Sequence, residues 1–258
     1  MLDPLEGLTA YGLIRTGASA DRIPARFSPL LNRATDRVAS VTPDASVYIY
    51  GSVATGVARV PESDVDLLTI GLPAERAAEI SEQLSVEFAD ICRGVEIAHA
   101  MDSDFHGDGD EAYGGRVFLH HYCVHLAGPD LDRSTSEYHG DRRAARGFNG
   151  DIAQHAARWR HDLGCADPAP LGRRAARKTL LAVSGLVSIH DATWTTDREG
   201  AARRWQEVHP ELSSGLDELL LWSAGQRAAT DERVAHQLNT TIDRIVDQFE
   251  TDIGLWRA

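Results

Sequence analysis

The sequence of 258 residues contains only one lysine, Lys178, and only three cysteines, Cys92, Cys123 and Cys165. An odd number of cysteines without metal-ligand spacing predicts free thiols rather than a disulfide framework. The sequence also lacks an apolar run long enough to span a bilayer, and it does not begin with the basic, apolar and small-residue order of a secretion signal. We therefore expect a cytoplasmic protein without a membrane span.

The charged residues are distributed unevenly along the chain. The formal net charge is −13, to which residues 1–132 contribute −12, residues 133–205 contribute +5 and residues 206–258 contribute −6. The arginines that stand out in the basic segment are Arg142, Arg143, Arg146, Arg158, Arg160, Arg173, Arg174 and Arg177. A basic segment favours a triphosphate or RNA as the ligand, whereas the acidic segments suit a cationic ligand or a hydrated surface.

Two short apolar segments in the first half of the chain predict strands with polar residues at their ends. Tyr48–Tyr50 and Val65–Ile70 are rich in apolar and β-branched residues, and turn-forming residues bound them. Gly51 and Ser52 follow the first strand directly. Glycine allows a close backbone approach, and the serine hydroxyl with the following amides can bind phosphate oxygens.

Two aspartates at the second strand, Asp64 and Asp66, predict a site for a hard cation. Side chains alternate along a strand, so both carboxylates are expected on one face while Val65 and Leu67 face the core. Mg²⁺ takes oxygen ligands, usually from one or two carboxylates, and leaves its other positions to water and phosphate oxygens. The spacing therefore predicts a magnesium site with room for a nucleoside triphosphate.

A third carboxylate is expected from the segment Val95–Ala100. Glu96 alternates with the apolar Val95 and Ile97, so it would project from the opposite face of the sheet. Glu96 would take the proton from an attacking hydroxyl or bind a second metal ion, while the two aspartates hold one or two Mg²⁺ ions.

This order of motifs resembles the DNA polymerase β-like nucleotidyltransferase superfamily, whose signature is G-S, a spacer of about this length, D-x-D and a later acidic strand residue. The resemblance implies an enzyme that uses Mg²⁺ and takes ATP as its co-substrate. It implies Asp64, Asp66 and Glu96 for catalysis and metal binding, and Gly51, Ser52 and Ser63 for nucleotide binding. The competing interpretation is an aspartate pair on a solvated strand edge beside a hairpin turn.

The residue pattern changes near residue 133 and predicts an α+β fold. We expect an N-terminal nucleotidyltransferase domain over residues 1–149, with a mixed β-sheet flanked by helices. An all-α helical domain over residues 150–258 would then clamp substrate and nucleotide. The predicted strands are Ser46–Tyr50, Asp64–Ile70 and Val95–Met101, and the predicted helices are Asp21–Val41, Ala74–Cys92, Asp151–Asp162, Arg173–His190, Asp197–Val208, Leu216–Gln226 and Asp231–Leu255.

The segment Phe118–Leu126 predicts one further apolar element. Alternation along a strand would place His121, Cys123 and His125 on one face. No partner cluster of metal ligands accompanies them in the sequence, so packing or surface roles are favoured over zinc binding.

A helical domain after a nucleotidyltransferase domain is similar to the aminoglycoside adenylyltransferases of the streptomycin and spectinomycin type. Phe118–Asp130 is similar to that family's helix and strand, which close in a Val-Gly-Pro turn, and Thr196–Pro210 is similar to its helix with Ala-Ala before a Leu-Pro ending. The chain departs at Gly185, where the family has an arginine on its long helix, and at Arg198, where it has a lysine. Arg198 and the compact cation Lys178 are the candidate nucleotide contacts of the helical domain.

The resemblance implies transfer of AMP from ATP to a hydroxyl of a small polar acceptor, with release of pyrophosphate. A cationic, aminoglycoside-type antibiotic is the first candidate acceptor, in keeping with the acidic chain. One alternative is a toxin-like nucleotidyltransferase that modifies tRNA or protein, and the arginines of the basic segment favour it. The other is a catalytically silent nucleotide-binding regulatory module. The oligomeric state is open.

Overall fold

A computed structural model describes residues 3–132 and 137–256, and the chain divides into two compact units. The sheet unit comprises Asp3–Glu6 and Ile14–Tyr138, and the helical unit comprises Gly7–Leu13 and the chain from His139 onward. The first unit contains a mixed sheet with flanking helices and the second is mostly helical, which confirms the predicted α+β class. No helix among the described residues is long and apolar enough to cross a membrane.

The sheet unit is built on four strands in the order β5-β4-β3-β6. Two-residue strands lie near the start of the chain: β1 (Gly7–Leu8) falls within the helical unit and β2 (Ile14–Arg15) within the sheet unit. The other elements in chain order are α1 (Ser28–Val41), β3 (Ser46–Tyr50), α2 (Gly51–Ala54), β4 (Val65–Ile70), α3 (Ala74–Glu87), β5 (Val95–Ala100), α4 (Asp110–Tyr122) and β6 (Val124–Ala127). Strand β4 pairs antiparallel with β3 and parallel with β5, and β3 pairs antiparallel with β6.

Apolar side chains cover both faces of this sheet. Val65 and Leu67 of β4 are fully buried against the core formed with α1 and α3. Leu68 and Ile70 belong to a second core, which includes Leu119 of α4. Because side chains alternate along a strand, Asp66 lies on the same face as Leu68 and Ile70.

The predicted strands agree with β3, β4 and β5 to within one residue at each end. The predicted helix Asp21–Val41 is α-helical only from Ser28, because the prolines restrict the backbone before it and Ala20–Arg22 and Ala25–Phe27 form 3₁₀ turns. The predicted helix Ala74–Cys92 ends at Glu87. Its last apolar residues pack on the core from a turn instead.

Strand alternation was wrong for His121, Cys123 and His125, because the apolar segment Phe118–Leu126 is not a single strand. Helix α4 continues to Tyr122, so His121 is helical and only the residues from Val124 belong to a strand. A short apolar run does not reveal its own period, and the helix begins upstream at Asp110. The helix-and-strand arrangement implied by the family resemblance is confirmed, and the strand ends at Ala127, directly before Gly128, whose φ is +77°.

The helical unit packs its helices around one long central helix. Its elements in chain order are α5 (Arg142–Asn149), α6 (Ile152–Asp162), α7 (Pro168–His190), α8 (Arg198–Val208), α9 (Ser213–Ser223), α10 (Asp231–Gln237), a π-helical turn (Leu238–Ile242) and α11 (Asp243–Asp252). Helix α7 contacts every other α-helix of this list. Asp167 caps α7 by accepting a hydrogen bond from the Ala169 amide, and Asp197 caps α8 through the Gly200 amide.

Small residues set the close packing in the helical unit. A Cβ on Gly172 of α7 would lie 2.3 Å from Ala229 Cβ, and one on Gly215 of α9 would lie 1.8 Å from Thr241 Oγ1. Thr241 belongs to the π-helical turn that interrupts the predicted helix Asp231–Leu255. The sequence analysis predicted one continuous helix here and did not predict the interruption.

The packing units divide the chain before α5, whereas the predicted domain boundary lies between residues 149 and 150. Helix α5 was not predicted, because its buried residues are mainly small, such as Ala144 and Ala145. It packs on α7 within the helical unit. The assignment of domains to residues 1–149 and 150–258 stays a prediction.

Candidate active site

The carboxylates predicted for the site lie where three strands of the sheet unit meet at one end. Asp66 is the register partner of Tyr50 in β3 and of Glu96 in β5. Neighbouring strands lie about 4.8 Å apart, so Asp66 and Glu96 are side by side on the same face. Asp64 directly precedes β4, two residues from Asp66. The sequence prediction that the sheet brings these segments together agrees with the register.

Two features of the structure require a glycine at position 51. Its φ is +72°, a backbone conformation that strongly favours glycine. A Cβ at this residue would lie 2.5 Å from Asp66 Oδ2. The main chain at the end of β3 therefore approaches the Asp66 carboxylate more closely than any other residue type allows.

The two predicted serines have different surroundings. Ser52, in the short helix α2, is partly exposed and its hydroxyl has no protein hydrogen-bond partner within the described ranges. Ser63 is buried, and its hydroxyl accepts a hydrogen bond of 2.9 Å from the Arg59 amide. Ser63 thus closes the loop before β4, while Ser52 leaves a hydroxyl beside Gly51. Contacts from either residue to a nucleotide stay predictions.

Asp64 forms an ion pair that the sequence analysis did not predict. Arg93 Nε donates to Asp64 Oδ1 at 2.9 Å, and Arg93 Nη2 donates to the other carboxylate oxygen, Oδ2. The side chain of Asp64 is 19% exposed and that of Arg93 is 62% exposed. In the sequence Arg93 stands out only as a cation in an acidic segment, three residues before Glu96, and this does not indicate which carboxylate it pairs with.

The carboxylates affect the titration of neighbouring groups. Burial raises the pKa of the Tyr50 phenol, and the negative charges of Asp66 and Glu96 raise it further. The hydrogen bond to Asp64 raises the pKa of the Arg93 guanidinium, and the charges of Glu96 and Asp66 act in the same direction. Tyr50 is therefore a neutral phenol and Arg93 a cation beside the three acidic residues.

The chemistry of these donors fits Mg²⁺. All three side chains offer carboxylate oxygens, which hard cations prefer, and two carboxylates are sufficient when a triphosphate supplies further ligands. In the part of the chain that the structure describes, no three His, Cys, Asp or Glu side chains are grouped so as to hold an ion. Asp64 in particular directs both oxygens to Arg93. Binding of a cation at Asp64 thus requires this side chain to exchange partners.

The two predicted nucleotide contacts of the helical unit line different pockets. Lys178 borders a cavity of about 90 Å³ together with Asn149, Ser184 and Thr195. Its Nζ lies 2.7 Å from Asp151 Oδ1 and donates to the Phe148 carbonyl at 3.2 Å. Arg198 instead lines an open groove of about 860 Å³ beside α8 and α9. The structure does not bring Lys178 and Arg198 together within this unit.

Lys178 belongs to a network of charged side chains with Asp151, which directly precedes α6, and His155 of α6. Asp151 also pairs with His155, whose Nε2 lies 3.0 Å from Asp151 Oδ2. Burial would raise the pKa of Asp151, but the hydrogen bond from His155 and the charge of Lys178 hold it below its usual 3.8. The positive charge of Lys178 is therefore paired with the Asp151 carboxylate inside the helical unit.

Gly185, where the related family has an arginine, lies on the buried side of α7. An added Cβ would be 3.3 Å from Phe249 Cε2, so already the Cβ atom of a longer side chain would contact α11 closely. The departure from the family pattern thus coincides with close packing at this position.

Comparisons with known proteins agree with this geometry. Residues 31–95 match the family described as "Nucleotidyltransferase domain", a range that includes Gly51, Ser52, Asp64 and Asp66. No curated protein shows significant sequence similarity to the chain.

One solved structure that the fold is similar to is the spectinomycin adenyltransferase AAD(9) from Enterococcus faecialis, determined with ATP and spectinomycin. The TM-score is 0.53 at 10% sequence identity, and the match covers 86% of this chain and 99% of the other. At this identity the likeness establishes the fold. Residues 31–95 thus match a nucleotidyltransferase domain, and the fold of the chain is similar to that of this adenyltransferase.

Proposed function

We propose that the protein transfers AMP from ATP to a hydroxyl of a small polar acceptor and releases pyrophosphate. The observation that carries the proposal is the register of β3, β4 and β5, which sets Asp66 beside Glu96 and next to the Gly51 main chain. An anionic triphosphate needs a cation to approach such an acidic face, and Mg²⁺ supplies that cation.

In the proposed reaction Asp64 and Asp66 hold one or two Mg²⁺ ions, with Glu96 available as a further ligand. Bound Mg²⁺ would neutralise the phosphate charge and stabilise the charge that develops during displacement. Gly51 and Ser52 position the triphosphate through main-chain amides and the free hydroxyl. Their task is to place the α-phosphorus in line with the acceptor oxygen.

Glu96 is the proposed general base. It takes the proton from the acceptor hydroxyl as that oxygen bonds to the α-phosphorus, while the bond from this phosphorus to the leaving pyrophosphate breaks. Glu96 is exposed on the edge strand β5, so an acceptor can reach it from solvent. The neutral phenol of Tyr50 is a hydrogen-bond donor on the same part of the sheet.

An aminoglycoside-type cation is the first acceptor to test. The solved relative was determined with spectinomycin, and residues 1–132 of this chain carry a net charge of −12. The helical unit is proposed to clamp substrate and nucleotide, with Arg198 lining the larger groove.

The test is pyrophosphate release from ATP and Mg²⁺ against a panel of aminocyclitol and aminoglycoside antibiotics. Transfer of label from [α-³²P]ATP to one acceptor, absent in Asp66→Asn, is the expected result. Release with non-cationic polyols but with no member of the panel would retain nucleotidyl transfer and remove the antibiotic assignment.

The RNA- or protein-modifying alternative depends on the arginines of the basic segment. Several of them bind groups inside the helical unit: Arg142 donates to the Asp252 carbonyl, Arg146 to that of Ile253, and Arg160 pairs with Asp243. These contacts reduce the cationic surface left for a nucleic acid. Labelled nucleotide on tRNA or protein in a lysate, with none on small acceptors, would decide for this alternative.

The alternative of a catalytically silent module makes a different prediction for ATP binding. Such a module would bind ATP equally well with and without Mg²⁺, and Asp66→Ala would leave that affinity unchanged. An enzyme of the proposed kind needs the metal for tight binding, so calorimetry with both proteins separates the two.

A further inference from the structure

The pair between Arg93 and Asp64 lies on a rigid main-chain frame. The Arg93 amide donates to the Ser63 carbonyl at 3.1 Å, and the Val65 amide donates to the Gly94 carbonyl at 2.9 Å. These bonds continue the parallel ladder of β4 and β5 beyond its first residue pair. These bonds fix the main chains of both residues: Arg93 lies opposite Ser63, and its side chain reaches the carboxylate of the next residue, Asp64.

The side chain of Arg93 contrasts with its anchored main chain. It is 62% exposed, and among the described residues its hydrogen bonds go to one carboxylate, Asp64, through two nitrogen atoms. The long, solvated side chain can leave the carboxylate by rotation about its own bonds, without moving either strand. Asp64, at 19% exposure, is the more confined partner.

The fork of the guanidinium occupies the same carboxylate oxygens that a metal ion would use. An arginine presents parallel N–H groups that match both oxygens of a carboxylate. A divalent cation and Arg93 are consequently competing ligands for Asp64. A triphosphate changes the balance, because it brings the cation further oxygen ligands and offers anionic oxygens to the released guanidinium.

We propose that Arg93 is a positioning residue that holds Asp64 until metal and nucleotide arrive together, so that metal binding at this site depends on the triphosphate. This inference rests on the proposed function for the identity of the metal ligand. Reciprocity requires that the nucleotide then raises metal affinity by the factor by which the metal raises nucleotide affinity.

The test measures binding of Mn²⁺, used as the probe for Mg²⁺, by the electron paramagnetic resonance signal of the free ion. Wild-type protein, Arg93→Gln and Arg93→Lys are compared without nucleotide and with a nonhydrolysable ATP analogue. Without nucleotide, Arg93→Gln is expected to bind Mn²⁺ about fivefold to tenfold more tightly, since a partly exposed ion pair no longer competes. The strengthening of Mn²⁺ binding by the analogue should shrink correspondingly.

Arg93→Lys separates the effect of the two parallel hydrogen bonds from the effect of the positive charge. Lysine keeps the positive charge but cannot make the two parallel hydrogen bonds. If the fork holds Asp64, Arg93→Lys also binds Mn²⁺ several-fold more tightly than wild type. If Arg93 acts by its charge alone, Arg93→Lys matches wild type, and the proposed holding of Asp64 is overturned.

Arg76→Gln is the matched control, because Arg76 is an exposed arginine paired at 2.5 Å with Glu79 on α3. It should leave Mn²⁺ affinity unchanged.

Asp64→Asn in the Arg93→Gln background should remove the gain in Mn²⁺ affinity and so assign that gain to the Asp64 carboxylate. Equal Mn²⁺ affinity in wild type, Arg93→Gln and Arg76→Gln would contradict the inference. Turnover measured separately tells whether the proposed function fails, because Mn²⁺ binding without nucleotide does not depend on the acceptor.

Discussion

The sheet unit and the helical unit differ in how their candidate functional residues come together. In the sheet unit, Asp66 and Glu96 are neighbours because parallel pairing of β4 and β5 makes them register partners. In the helical unit, Lys178 and Arg198 line separate pockets, and Lys178 is tied to Asp151. Strand pairing thus brings the candidate carboxylates side by side, whereas helix packing places the candidate cations in separate pockets.

Asp66→Asn is expected to have the largest effect and to show that chemistry belongs to the sheet unit. The substitution keeps the side-chain shape but removes the charge that holds the cation. Nucleotidyl transfer should fall by on the order of 10³-fold, measured as kcat/KM for pyrophosphate release. Thermal unfolding should change little. Residual activity within tenfold of wild type would remove Asp66 from the proposed site.

Gly51→Ala tests the close approach of the main chain to Asp66. The added Cβ would lie 2.5 Å from Asp66 Oδ2, so the carboxylate must shift and transfer should fall by about 10-fold to 100-fold. Gly107→Ala is the control: Gly107 also has a positive φ, of +89°, but no atom lies within 4 Å of its added Cβ. Both variants lose about 1–2 kcal/mol of stability from backbone strain. Equal loss of activity in the two would contradict the role of the contact.

Gly215→Ala probes the helical unit and should affect stability without altering the carboxylates. The added Cβ would lie 1.8 Å from Thr241 Oγ1 in the π-helical turn. Overpacking of this kind costs about 1–3 kcal/mol, measured by urea unfolding. Thr241→Ala in the same chain removes the hydroxyl and should recover part of the loss. No recovery would show that the variant is destabilised by something other than this contact.

Acid is expected to affect the two units in different pH ranges. Burial, followed by the nearby charge of His120, lowers the pKa of His121 from 6.5 to about 4, and Asp132 opposes the shift. Since the unfolded chain takes up this proton first, stability is complete above about pH 6.5 and is lost as pH falls towards 4. The loss should reach roughly 1–2 kcal/mol, allowing for partial exposure of the ring.

In the helical unit, the pKa of Asp151 is held below 3.8, so the stability that it contributes is lost only when pH falls below about that value. Hydrogen exchange between pH 7 and pH 4 should therefore show earlier loss of protection around α4 than around α6. His121→Gln should remove most of the early loss. Simultaneous loss in both regions would contradict the separation.

The parts of the fold that were predicted share a strong local pattern. The strands β3, β4 and β5 alternate or run apolar between turn residues, and the long helices of the second half have apolar residues at helical spacing. The helices whose buried residues are small, such as α5, left no such pattern. The run Phe118–Leu126 was ambiguous because it contains the end of α4 and the start of β6.

Within the candidate site, the acidic residues followed from strand alternation, but Arg93 did not. Arg93 lies in a turn before β5, and no periodicity indicates which way its side chain points. Its pairing with Asp64 depends on the register of two segments that are 29 residues apart. The Ser63 hydroxyl shows the same limit, because its bond to the Arg59 amide is a property of the folded loop.

The sequence by itself determined the nucleotidyltransferase signature and the α+β class, because glycine, aspartate and apolar alternation act through local backbone geometry. Only the tertiary structure decided that Asp64 is held by Arg93, that Gly51 adjoins Asp66 and that Lys178 is bound to Asp151. Those contacts join distant segments, and their distances depend on strand register and helix packing, which one local pattern does not specify.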